Sequence, residues 1–502
     1  MNGVLTAIER HAASRPQAPA LSDGRWELGY AALGREVAEA AAMLRAVGAR
    51  CLAIAMENAP AWAVMDLAAL SARVPTVPLP SFFSLAQQAH AMRDAGADLL
   101  VTDGSAGPLL AFSDGWAIGA SSEIRIAGHR VRLMRLDGVR GVPLPPGTAK
   151  ITYTSGTTGT PKGVCLGTDA MESVAGSLAQ AAALGPGDRH LAALPLPTLL
   201  ENVGGIYAPL LAGACAVLPP LRSVGLEGAA GFDPGRLATA LWAHDATSVI
   251  LTPQMLQGLL LAMDAGVPRP QRLRFVAVGG AAVARPLLSR AAQLGLPVFE
   301  GYGLSECASV VSLNTPRANR PGSAGRPLPH ARVRIAPDGE ILVEGSTLLG
   351  YAGRGEIPSR PWPTGDIGHL DDEGFLHITG RKKNIFITSF GRNVAPEWVE
   401  GELALNPAVA QAAVFGEGRP WSVAVIVPRG YHDPEAMARA IAETNARLPD
   451  YARIGAWLRA EAPFTPENGQ LTANGRLRRD AIRAAYGEQI DQLYREEHDG
   501  VS

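Results

Sequence analysis

The chain has 502 residues, 47% hydrophobic and 18% charged, with a formal net charge of −2. That length exceeds what one core supports, so at least two domains are expected, and the near-neutral charge excludes an electrostatic footprint for nucleic acid or an anionic membrane. The cysteines, Cys51, Cys165, Cys215 and Cys307, form no CxxC pair and no metal-ligand cluster, and no apolar signal core or run of about 18 apolar residues is present. The reading is a cytoplasmic chain with reduced thiols and no transmembrane segment.

In chain order, Thr6 to Ala13 predicts a short helix and Trp26 to Tyr30 a strand. Ala31 to Gly48 predicts a helix with Leu33, Val37, Ala40, Ala41 and Leu44 on one face. Cys51 to Met56, Val74 to Leu79 and Asp98 to Val101 read as short apolar strands, separated by helices at Pro60 to Ala72 and Leu85 to Gly96. Such alternation argues for a parallel sheet covered on both faces. Ala117 to Pro146 is less regular and leads into the loop that follows. A strand ending at Tyr153 then runs into Thr154-Ser155-Gly156-Thr157-Thr158-Gly159-Thr160, closed by Pro161-Lys162-Gly163. Glycines bring backbone N–H groups close to an anion, the hydroxyls add donors and Lys162 adds a charge, so the loop suits a polyphosphate. Its spacing is not that of a Walker A loop.

A second βα set follows: helix Thr168 to Leu184, strand His190 to Leu196, a break at Pro197 to Asn202 before a Gly/Ala-rich helix through Gly213, and strands at Ala216 to Pro219, Ser248 to Thr252 and Phe275 to Val278. Helices at Arg236 to His244 and Met255 to Ala265 separate the later strands. Thr252, Gly279 and the loop after Tyr153 fall beyond strand C-termini, where open α/β sheets bind ligands. From Arg332 short strands between turns indicate a small β-barrel or sheet. Past Gly380 the pattern is α+β: strand Ile385 to Thr388, helix Pro396 to Leu405, strands Val409 to Phe415 and Ser422 to Val427, helix Pro434 to Leu448, strand Ile454 to Arg459 and a last helix Arg479 to Glu496.

The Thr154–Gly163 stretch resembles the phosphate-binding motif of the adenylate-forming superfamily, whose members include acyl-CoA synthetases, peptide-synthetase adenylation domains and beetle luciferases. The resemblance implies an α/β fold: a large N-terminal adenylation domain (1–380) of two βα-layered parallel sheets plus a small β-barrel, a hinge (381–384) and a small mobile α+β C-terminal domain (385–502). It implies ATP-dependent activation of a carboxylic acid to an acyl-adenylate, then transfer to a thiol, with ATP, Mg²⁺ and CoA required.

By the same resemblance, Thr154, Ser155, Gly156, Thr157, Thr158, Gly159 and Lys162 hold phosphates. Gly280-Ala281 lines the adenine and acyl sites. Tyr302-Gly303-Leu304-Ser305-Glu306 supplies Tyr302 to adenine, and Glu306, with Thr157, holds Mg²⁺. Ser305 stands for the usual threonine; read without the family, it would be the N-cap of a helix. Asp366 binds the ribose hydroxyls and Arg381 contacts ribose. Lys383 is the centre of domain rotation, and Gly391 lies where the chain approaches pantetheine. Arg476 occupies the position of the adenylation lysine, a departure from the family pattern. Catalysis is assigned to Lys162, Glu306 and Arg476.

By the same resemblance, long-chain synthetases carry a histidine or aromatic residue near Thr198 that gates the acyl tunnel, and amino-acid-activating domains an aspartate that holds the α-ammonium group; Leu194 to Glu201 carries neither, which departs from the first pattern and disfavours an amino-acid substrate. His190, His330, His369 and His377 read as structural or surface residues. The leading reading is an acid–CoA ligase for a fatty or other apolar acid, with Leu199, Ile206, Thr252, Met255 and Leu256 as candidate acyl contacts. Two alternatives are a ligase that loads a carrier-protein thiol and, because of Arg476, a nucleotide- or acyl-binding pseudoenzyme. No G-x-S-x-G elbow supports a hydrolase.

Overall fold

The computed structural model describes residues 3–496 except 106, 108, 110–115, 155–160, 228–230, 282, 357, 431–433 and 473–475. The chain divides into two compact units. The first comprises Met1–Ala281, Arg290–Arg334 and Leu342–Trp362; the second comprises Ala282–Ser289, Ile335–Ile341 and Pro363–Ser502.

In the first unit the described residues form two large sheets, one of nine strands and one of eight. Both are parallel in the middle: Leu52–Ala55 lies between Thr76–Pro78 and Leu99–Thr102 in one, and Ser248–Leu251, Phe275–Val278 and Val298–Leu304 are consecutive in the other. The helix Pro60–Ala72 has proline in its first turn, where a missing N–H costs nothing, and every residue from Pro60 to Ala69 is buried. A helix apolar on all sides belongs inside a core. Trp62, Val64, Met65 and Leu67 are fully buried in a cluster that also takes in Leu52, Val164, Leu21 and Ala216 from the two sheets. Each such side chain contributes about 1.5–3 kcal/mol. A second cluster covers the other face of the eight-stranded sheet under helix Leu85–Ala95. No described helix is long and apolar enough to cross a membrane.

Two local expectations change. The segment taken as irregular is a hairpin, Ala117–Ile126 against His129–Asp137, turned by Ala127 and Gly128 at φ 47° and 79°. Its first strand is mostly exposed, so it lacks the apolar alternation of a strand that covers a core. The break expected through Asn202 is already helical from Leu199, and Asn202–Tyr207 is a π-helical turn.

In the second unit, Val409–Phe415, Ser422–Pro428 and Ile454–Arg459 form a three-stranded sheet with an apolar cluster on each face. Trp362–Leu370 and Leu376–Arg381 pair as an antiparallel hairpin. The compact division thus falls at Trp362/Pro363, ahead of Gly380: Gly368 N–H donates to the Gly339 carbonyl at 3.0 Å, which ties the hairpin to the Ile335–Ile341 segment. The strands read as a small barrel are shared between the two units.

Candidate active site

In the first unit, Lys150–Thr154 and Lys162–Leu166 are antiparallel partners, with Thr154 opposite Lys162. The loop residues expected to hold phosphate, Ser155, Gly156, Thr157, Thr158 and Gly159, lie outside the described residues. Lys162 is exposed at the strand start. Gly163 is required there: a Cβ would stand 2.9 Å from the Tyr153 ring and 3.0 Å from Ile151. Tyr153 Oη donates to Asp94 Oδ2 at 2.7 Å, which ties the hairpin to helix Leu85–Ala95.

The base of this hairpin holds a buried polar cluster that the sequence reading missed. Lys150 Nζ donates to Asp66 Oδ1 at 2.7 Å, to Asn202 Oδ1 and to Tyr207 Oη at 3.3 Å. Asn202 Nδ2 and Tyr207 Oη donate to Asp66 Oδ2 at 3.0 and 2.8 Å. Burial holds the lysine below its ordinary pKa against the pull of Asp66. The available signal was a charge inside an apolar run, Asp66 in Trp-Ala-Val-Met-Asp-Leu-Ala-Ala.

A second buried trio lies nearby in the chain. His190 Nε2 is 2.9 Å from Glu201 Oε1, and His190 Nδ1 is 3.0 Å from Ser248 Oγ. Glu201 Oε2 accepts from the Leu194 N–H at 3.0 Å. All three side chains are sealed from solvent, which fits His190 as a structural residue. Leu199 and Ile206 are packed in the central core, and Met255 and Leu256 are buried.

The strand Val298–Leu304 carries Tyr302 and Gly303 and turns back into Ser309–Leu313. Gly303 permits this, since a Cβ would sit 1.7 Å from the Ser309 carbonyl oxygen. Ser305–Cys307 is a single 3₁₀ turn capped by Leu304 without a side-chain bond, so Ser305 is not a helix N-cap. The turn is strained: Ala308 and Ser309 take φ 54° and 108°, each costing about 1–3 kcal/mol for a residue with a side chain. Gly280, at φ 86°, and exposed Ala281 follow the neighbouring parallel strand Phe275–Val278. Gly280-Ala281 and Tyr302–Glu306 therefore share one end of the nine-stranded sheet, at strand C-termini.

In the second unit, Asp366 and Arg381 are cross-strand partners, joined by an ion pair of 2.7 Å, and Asp366 is 3% exposed. Lys382 is paired instead with Asp338 and Glu340, at 2.7 Å each. Burial, with Arg381 and Arg476 adding repulsion, holds the Lys383 amine below its ordinary pKa. Gly391 takes φ 70°. Arg476 is exposed; its N–H donates to Thr472 Oγ1 at 3.1 Å and its carbonyl accepts from Thr472 N–H at 2.7 Å. Three residues on, Arg479 donates to both Glu400 oxygens, one at 2.6 Å, which fixes the start of the last helix.

Among the described residues no group of three or more His, Cys, Asp or Glu is placed to hold a metal by itself. Magnesium at a nucleotide site needs only one or two carboxylates beside phosphate oxygens. Glu306 fits that demand: its carboxylate has several acceptor positions, of which the Tyr351 hydroxyl takes one at 3.0 Å.

The sequence model of a family described as AMP-binding enzyme matches residues 8–351, and that of the AMP-binding enzyme C-terminal domain matches residues 383–498. A long-chain-fatty-acid–CoA ligase of Mycobacterium bovis is 26% identical, over 87% of this chain and 86% of its own length. A 2-succinylbenzoate–CoA ligase of Geobacillus kaustophilus is 32% identical, over 67% and 69% respectively. Among solved structures, an anthranilate–CoA ligase in complex with anthranoyl-AMP superposes with a TM-score of 0.80 at 18% identity, covering 96% of this chain and 97% of that one.

Proposed function

Since the chain belongs to the family of AMP-binding enzymes, we propose that it is an acid–CoA ligase acting on an apolar carboxylic acid, aliphatic or aryl. The observation that carries this is the similarity to a named CoA ligase over 87% of this chain and 86% of that protein. In the first step a carboxylate oxygen attacks the α-phosphorus of ATP, the bond to the β-phosphate bridging oxygen breaks and pyrophosphate leaves. In the second the thiol sulfur of CoA attacks the acyl carbon, the bond to AMP breaks and the thiol proton passes to solvent.

The chain's own groups divide the work by type. Lys162 holds phosphate charge, as its exposed position at the end of the hydroxyl-rich loop allows. Tyr302 stacks on adenine. Asp366 accepts from the ribose hydroxyls, with its orientation set by Arg381. Glu306, with Thr157, holds magnesium; the metal, when bound, neutralises phosphate charge. Arg476 is a cation for the charge that builds on the α-phosphate and carboxylate oxygens; its planar fork matches both. Lys383 is the point about which the C-terminal domain rotates between steps.

The test is pyrophosphate release over a panel of fatty, aryl and amino acids, with and without CoA. The proposal expects release with an apolar acid and CoA-dependent formation of AMP and thioester. Pyrophosphate release with AMP retained until a carrier-protein thiol is supplied would replace CoA as acceptor. No release with any acid would overturn the activity.

A further inference from the structure

The turn that bears Glu306 is held from outside itself. Tyr351 Oη donates to Glu306 Oε1 at 3.0 Å, and the Leu348 N–H donates to the Glu306 carbonyl at 2.7 Å. Tyr351 belongs to a two-residue strand, Gly350–Tyr351, antiparallel to the strand that Lys162 opens, with Tyr351 opposite Val164. The next residue continues the link: Ala352 N–H donates to the Gly163 carbonyl at 2.9 Å. One short edge strand thus bonds both to the strand of the phosphate lysine and to the turn of the metal carboxylate. Without such a hold the strained backbone at Ala308 and Ser309 would have reason to relax, and the carboxylate would move with it.

The chemistry suits an orienting donor. A phenol hydroxyl is protonated at neutral pH and can donate to a carboxylate, and Tyr351 Oη stands 3.0 Å from Glu306 Oε1. The Arg354 guanidinium lies 5.6 Å from the Tyr351 ring centroid, and Tyr351, Arg354 and Lys162 line one recess with His90 and Asp94. The ring also packs, tilted, 6.2 Å from Trp362. Phenylalanine would keep these ring contacts and remove only the donor.

We propose that Tyr351 is a positioning residue: its hydroxyl orients the Glu306 carboxylate and thereby sets the affinity for magnesium-bound nucleotide. This rests on the reading of Glu306 given above.

The test is calorimetric titration of ATP into the full chain at stepped magnesium concentrations, without acid or CoA. Loss of one hydrogen bond to a charged group is worth roughly a tenfold change or more. Tyr351→Phe is therefore expected to raise the magnesium concentration for half-maximal ATP binding by about that factor. Metal-free ATP binding and the melting temperature should stay as in wild type. Glu306→Gln should abolish the magnesium dependence, and adding Tyr351→Phe to it should change nothing more. Wild-type magnesium dependence in Tyr351→Phe overturns the proposal, as does an equal loss with and without metal, which would mark a packing role. If Glu306→Gln keeps wild-type magnesium dependence, the reading of Glu306 falls and the proposal with it.

Discussion

Two side chains carry charge in the proposed chemistry and can be removed without disturbing a core. Lys162 is exposed, so Lys162→Ala is expected to weaken ATP-dependent adenylate formation while leaving the melting temperature nearly unchanged. A loss of about 2 kcal/mol or more in urea unfolding, the scale of a disrupted core, would assign it a structural role. Arg476→Ala should slow acyl-adenylate formation by roughly tenfold or more, about 1.4 kcal/mol, yet leave conversion of supplied acyl-adenylate to thioester intact. Adenylate formation at the wild-type rate in that variant would remove Arg476 from the reaction. Both residues are proposed from the sequence, because each sits in a short run of residues that resembles a family motif. The Tyr351–Glu306 bond was not, since it joins residues 45 apart in sequence and no local pattern marks it.

Elements were legible where composition and period agree. Pro60–Ala72 begins at its proline and stays apolar throughout, and the structure gives that same helix. Phe275–Val278 and Val409–Phe415 likewise keep their expected bounds. The Ala117–Asp137 hairpin escaped because its exposed first strand needs no apolar face and because Ala127, at φ 47°, takes a turn position where Asn, Asp or Gly is the usual signal. The cluster of Asp66, Lys150, Asn202 and Tyr207 ties a helix, the strand that leads to the phosphate loop and the π-helical turn to one another. Asp66→Asn would leave the Lys150 charge buried without its counter-ion and is expected to cost about 3–5 kcal/mol in urea unfolding. Asp66→Leu combined with Lys150→Met should recover much of that loss. A double variant less stable than Asp66→Asn would show that the polar groups themselves, and not an orphaned charge, hold these elements.

At the scale of the molecule, the two-unit division follows from the change of pattern along the chain, while its position does not, because Ile335–Ile341 counts with residues that follow Pro363. The proposed rotation about Lys383 is tested by Lys383→Pro, which fixes φ near −65°. The variant should lose one half-reaction much more than the other, measured as adenylate formation and as thioester formation from supplied adenylate. Equal losses in a folded protein would count against a pivot there. The short Gly350–Tyr351 strand also has a meaning for synthesis. Until it emerges, the Lys162–Leu166 strand of the eight-stranded sheet has a partner on one side only. At roughly 5–20 residues per second of translation, that apolar edge stays bare on the ribosome for about ten seconds or more. An unpaired edge invites pairing with other chains. The nascent protein therefore carries an aggregation-prone edge through the middle of its synthesis, and a fragment ending before Gly350 would keep that edge permanently open.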